Sequence, residues 1–80
     1  MTATVETLVS RVRVRKQLPP PEIRRSVRTL AGASLEELAE VCGVSRQAVG
    51  YWEVGARRPK GRNLERYSEV LTALQKAITA

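Results

Sequence analysis

The chain has 80 residues, 14 Lys and Arg against 8 Asp and Glu, a net charge of +6, one cysteine and no histidine. One domain of this length buries about 60–65% of the surface its unfolded form exposes, which leaves little room for a deep catalytic cleft. The composition excludes Cys/His zinc sites, an intrachain disulfide and histidine-based acid–base or triad chemistry. The positive excess points to a polyanionic partner. No apolar run approaches the roughly 20 residues that span a bilayer, and the N-terminus shows no signal-type pattern, so neither a membrane nor a targeting segment is expected. Lone Cys42 suits a reducing cytoplasm. The expectation is a small cytoplasmic binding module without cofactor, metal or small-molecule ligand.

Proline and glycine divide the chain into helix-sized pieces. Residues 4–16 place Val5, Leu8, Val9 and Val12 on one helical face, with Thr4 as cap and Arg11, Arg13, Arg15 and Lys16 loading the later turns. The alternation around Val12 and Val14 admits a strand instead. Pro19, Pro20 and Pro21 force an extended link and then open a second helix over 21–31, with Ile23, Val27 and Leu30 or Ala31 as its apolar stripe and Gly32 as its stop. Ser34 and Glu37 form a capping box for a third helix whose buried side is Leu38, Ala39, Val41 and Cys42. Gly43 ends it. Ser45 caps a fourth helix, 45–54, with Ala48, Val49 and Trp52 inward and Gly55 as its end. After a loop at 56–61, Asn63 caps or precedes a last helix from about Arg62 to Ala77, with a stripe of Leu64, Tyr67, Val70, Leu71, Leu74 and Ile78. The fold class is therefore all-α: a compact bundle of about five helices. Residues 1–18 form an N-terminal helix and linker, and 19–80 the domain proper.

Two short helices meeting at Gly43-Val44-Ser45 make a helix-turn-helix. Ala39 is small because the next helix crosses close to it. Gly43 takes the left-handed conformation of the turn. Val44 and Val49 fill the wedge between the helices. Glu53 lies near a helix C-terminus, where a carboxylate opposes the dipole, so a partner is expected for it.

The run from Ser34 to Pro59, with Leu38, Ala39, Gly43, Val44, Ser45, Val49 and the string Trp52-Glu53-x-Gly55-x-Arg57-x-Pro59, resembles the Cro/C1-type (XRE) helix-turn-helix family over about residues 22–75. The resemblance implies a lambda-repressor-like DNA-binding fold preceded here by an extra N-terminal helix. It implies a fourth helix, 45–54, that reads bases in the major groove with Arg46, Gln47, Gly50 and Tyr51. Arg suits guanine and Gln adenine. It also implies an Arg28–Glu53 pair, since the family often places an arginine four residues before the first glycine. Leu35 stands where the family often has a phosphate-holding Gln, which leaves that contact to Ser34 and nearby backbone N–H groups. Ser45 is a further phosphate candidate.

Arg57, Arg58, Lys60 and Arg62 read as a phosphate clamp, or as a solubilising loop. Arg11, Arg13, Arg15, Arg24 and Arg25 read as solvated charges, with phosphate contact as the sharper alternative. Gly50 is either a close-approach position or a tolerated surface glycine. The function expected is sequence-specific double-stranded DNA binding by a transcription regulator, a repressor or Cro-like protein of phage or bacterial type. The alternatives are a phage excision factor, an antitoxin-type DNA-binding partner or a protein-interaction adaptor on the same fold. An enzyme is not expected. The three–four spacing of Leu64, Tyr67, Leu71, Leu74 and Ile78 has coiled-coil character and suits a weak homodimer, unless Val5, Leu8, Val9 and Val12 cover its end.

Overall fold

The computed structural model describes residues 4–79, with backbone alone at 14–17. Among the described residues all regular structure is helical: α1 (Val5–Gln17), α2 (Pro21–Leu30), α3 (Leu35–Cys42), α4 (Arg46–Val54) and α5 (Gly61–Thr79). Local chemistry sets the ends. Thr4 Oγ1 accepts the Thr7 N–H at 3.1 Å, and the Val12–Val14 alternation belongs to a helix rather than a strand. The basic side chains expected at Arg15 and Lys16 lie outside the described ones. Pro21 starts α2, where its missing N–H costs nothing. Ser34 and Glu37 complete both halves of their capping box, at 3.1 and 2.9 Å. Ser45 Oγ accepts the Ala48 N–H at 3.1 Å. Gly43 (φ +71°) and Gly55 (φ +77°) close α3 and α4 in left-handed conformations. Gly55 has a second constraint: a Cβ there would stand 2.9 Å from Pro21 Cγ, so the start of α2 rests against the end of α4.

The core is Val27, Leu38, Ala39, Val49, Trp52, Tyr67 and Leu71, drawn from α2 to α5. The Trp52 and Tyr67 rings stack tilted at 52°, centroids 5.1 Å apart. Helix α5 packs on α1, α2 and α3, while α4 packs on α2 and α3. Cys42 sits half-buried against the core, and burial pushes its thiol pKa up, which keeps it protonated.

Three expectations from the sequence are corrected. Of the α2 stripe only Val27 is buried; Ile23 and Leu30 are exposed, and Arg24 occupies the inward position instead. Val41 faces solvent because Leu35, Leu38, Ala39 and Cys42 form the inward stripe of α3 and position 41 falls outside it. Asn63 lies inside the first turn of α5, and it is the Lys60 carbonyl that accepts its N–H, at 3.1 Å. Of the α5 stripe, Tyr67 and Leu71 belong to the protein's own core. Its distal Ile78 stays exposed, as do Val5, Leu8, Val9 and Val12 on α1. Helix α1 packs along α5.

Candidate nucleic-acid interface

Two arginines four residues apart on α2 hold α4 from beneath. Arg28 Nε and Nη2 donate to the two Glu53 carboxylate oxygens at 2.6 and 2.8 Å, and Nη1 donates to the Ala33 carbonyl at 3.0 Å. Glu53 is 6% exposed and Arg28 13%. The hydrogen bond to Glu53 holds the guanidinium pKa above its ordinary value. The ion pair also neutralises a carboxylate set against the negative end of the α4 dipole. Arg24 does a related task one turn earlier. Its Nη1 donates to the Trp52 carbonyl in the last turn of α4 at 2.8 Å, and its Nε to the Pro19 carbonyl of the linker at 2.7 Å. The solvated reading of Arg24 is thus corrected: it is buried, because a cation that satisfies two carbonyls can replace an apolar side chain there.

With Val49 and Trp52 buried and the last turn clamped, the opposite face of α4 points outward. Arg46, Gln47, Gly50 and Tyr51 share that face and line a shallow depression with Leu35 and Val54. Arg46 Nε meets Glu36 Oε1 at 3.0 Å, both side chains about two-thirds exposed. Such a surface pair is worth about 0–1 kcal/mol and is easily exchanged for another anion. Gln47 Nε2 donates to the Tyr51 hydroxyl at 3.0 Å, and the Arg57 guanidinium lies 4.9 Å above the Tyr51 ring. Nothing lies within 4 Å of a Cβ built on Gly50, and its backbone is ordinary helix. No feature of the fold calls for glycine there.

The cations grouped by sequence separate in space. Arg57 joins the α4 face through Tyr51. Arg58, Lys60 and Arg62 line a second cleft, with Arg11 and Arg24. Ser45 caps α4 with its oxygen, which leaves its O–H free to donate. Ser34 does the same at α3, but its backbone N–H is taken by Glu37, and Glu36 adds a second carboxylate to that turn. The start of α3 is therefore less inviting to a phosphate than the start of α4. Leu38, Ala39 and Val44 sit in or against the core behind both.

Sequence reasoning missed Arg24, Leu35 and Val54. Arg24 carried no signal, since a charged residue on a basic helix reads as solvated. Leu35 enters the sequence reading only as the residue in place of a phosphate-holding Gln, and Val54 does not enter it at all. Only the crossing of α3 and α4 brings the two beside Gly50.

This fold and this face define a DNA-binding helix-turn-helix domain. The sequence profile of the helix-turn-helix family matches residues 25–72, more than half of the chain. The chain belongs to that family, in its Cro/C1-type (XRE) form. No curated protein and no solved structure matches it.

Proposed function

We propose that the protein is a sequence-specific regulator of transcription that reads double-stranded DNA with the outer face of α4. The observation that carries this reading is that Arg46, Gln47, Gly50 and Tyr51 share one exposed face with no packing duty, on a helix whose other side is fully committed. A helix of about 10–12 Å diameter fits a major groove about 12 Å wide. Arg46 released from Glu36 has the fork geometry for guanine O6 and N7, and Gln47 for adenine N6 and N7. Leu35, Val54 and the bare Gly50 backbone offer an apolar seat for a thymine methyl. Arg57, Arg58, Lys60 and Arg62, with the Ser34 and Ser45 hydroxyls, supply sequence-independent phosphate contacts.

In this reading the domain 19–80 does the binding, residues 1–18 are an appended helix and linker, and the protein is not an enzyme. It works in the cytoplasm of a bacterium or phage-infected cell, as a repressor or Cro-like protein. The exposed apolar residues Val5, Leu8, Val9 and Val12 of α1 and Ile78 of α5 support a weak homodimer on DNA. Selection from random duplexes tests the proposal. An enriched motif of a few base pairs per domain is expected, palindromic if the dimer forms. Equal recovery of all sequences would overturn specific reading, and a non-palindromic site bound one-to-one would overturn the dimer.

A further inference from the structure

A second cleft, which shares no lining residue with the depression on α4, gathers five cations from four segments: Arg11 of α1, Arg24 of α2, Arg58 and Lys60 of the loop and Arg62 of α5. One carboxylate, Glu65, shares it. None of the five is within 4.0 Å of a carboxylate among the described residues; the ion pairs found there are Arg28–Glu53, Arg46–Glu36 and Arg66–Glu69. Like charges brought together without counterions repel, and folding tolerates this only where something else offsets it. Four of the five, Arg11, Arg58, Lys60 and Arg62, are exposed. The fifth, Arg24, is 9% exposed and fixed through Nε and Nη1, while its Nη2 has no hydrogen-bond partner among the described residues. The cleft also takes in Gly61 and Arg62, the first turn of the 19-residue α5, whose leading N–H groups have no intrahelical acceptor.

We infer that this cleft is a phosphate site, with α1 forming one of its walls through Arg11. Exposed cations, a buried guanidinium with donor capacity to spare and a long helix's N-terminus are the components that hold a phosphate oxyanion. The inference rests on the DNA-binding reading for the source of the phosphate, a phosphodiester of the duplex beyond the bases read by α4, and not for the site itself. It gives α1 a task its exposed apolar residues do not explain: the helix places Arg11 opposite Arg62.

Two measurements on the full chain test it. In the first, inorganic phosphate is titrated into free protein while amide and arginine Nε–H resonances are followed. Saturable shifts are expected at Gly61, Arg62, Arg24 and Arg11, weakened in Arg11→Ala. In the second, duplex affinity is measured over a salt series for wild type, Arg11→Ala, Arg62→Ala and, as a control of equal charge loss, Arg66→Ala. The log–log salt slope should fall by about 0.9 for each lost phosphate contact in the first two variants and stay unchanged in the control, with the preference for the selected site intact. Phosphate shifts together with an Arg11→Ala slope equal to the control's would uphold the site and transfer it to a small phosphate-bearing ligand. A wild type that binds no duplex at any salt would remove the DNA reading and leave the phosphate titration to decide the cleft. Shifts no larger there than over the rest of the surface, with Arg11→Ala and the control alike on DNA, would overturn the inference.

Discussion

The two faces of α4 differ in how much of the fold depends on them. On the inner face Val49 and Trp52 are buried, both Glu53 carboxylate oxygens accept from Arg28, which also donates to the Ala33 carbonyl, and the Trp52 carbonyl takes the Arg24 guanidinium. On the outer face Arg46, Gln47 and Tyr51 meet only one another's neighbours on the surface, and Gly50 meets nothing. A residue whose identity the fold does not require is available for a ligand. The inner face fixes the angle of presentation, and the outer face carries the chemistry that is presented. Substitutions on the two faces should accordingly fail in different assays.

The largest effect belongs to the inner face. Glu53→Ala leaves the Arg28 guanidinium buried and unpaired, and breaking such a pair from one side costs about 3–5 kcal/mol. Arg28→Ala should cost a similar amount, since it also strips the Ala33 carbonyl of its donor. The double variant should lose clearly less than the sum of the two, as side chains in one network do. Chemical denaturation of all four proteins measures this. Strict additivity would mean that the pair does not hold α4, and the contrast between faces would lose its physical basis.

Tyr67 supports Trp52 from below, and burial pushes its phenol pKa up to about 12. An unfolded tyrosine ionises near pH 10. The raised value means the folded state resists ionisation, so this contribution to stability is fully present below about pH 10 and is lost as the pH rises towards about 12. At about 1.4 kcal/mol per unit the loss is about 2–3 kcal/mol. Tyr67→Phe should abolish that alkaline component while leaving neutral-pH stability equal or slightly higher, because the buried hydroxyl has no partner among the described residues. Denaturation of wild type and variant at pH 8 and pH 12 separates this from lysine titration, which both share. Equal alkaline losses in the two proteins would show that Tyr67 is not buried tightly under α4.

Much of this arrangement is legible in the sequence, for reasons that differ from place to place. Ser34, Glu37, Gly43, Ser45 and Gly55 act on their own neighbours within three or four residues, so helix ends can be read without knowing the fold. The Arg28–Glu53 pair spans 25 residues and is legible only through the family resemblance. Ile23 and Leu30 were misread because periodicity assumes that the apolar side faces in, whereas α2 turns Arg24 inward to reach two carbonyls. The division of the basic loop was out of reach for a similar reason. Arg57 and Arg58 are adjacent in sequence, and only the path of the chain after Gly55 sends one over Tyr51 and the other into the second cleft.

That division sharpens the contrast on the outer face. Arg46→Ala or Gln47→Ala should lower affinity for the selected site by about 1–3 kcal/mol and leave random duplex nearly unaffected, which flattens the preference. Arg58→Ala should weaken all duplexes alike and reduce the salt slope by about one. Arg57→Ala should do both in part, because it removes a phosphate contact and also the cation above Tyr51. Titrations against both DNAs over a salt series read all four variants. If Arg58→Ala relaxed specificity while Arg46→Ala weakened every sequence equally, the roles of helix and loop would be exchanged.

The smallest change is the most discriminating. Gly50 occupies the middle of α4 with ordinary helical backbone and open space where a Cβ would stand. Glycine in a helix interior costs about 0.5–1 kcal/mol against alanine, so Gly50→Ala should raise stability by about that amount. The same methyl would project from the outer face into the depression bounded by Leu35, Tyr51 and Val54. If a base edge or thymine methyl approaches the backbone there, the stabilised variant should bind the selected site at least several-fold more weakly. Stability and affinity would then move in opposite directions in one protein, which no general damage to the fold can imitate. Thermal melting and a site titration on the same sample suffice. A variant that gained stability and kept its affinity would make Gly50 a tolerated surface glycine and would confine base reading to Arg46, Gln47 and Tyr51.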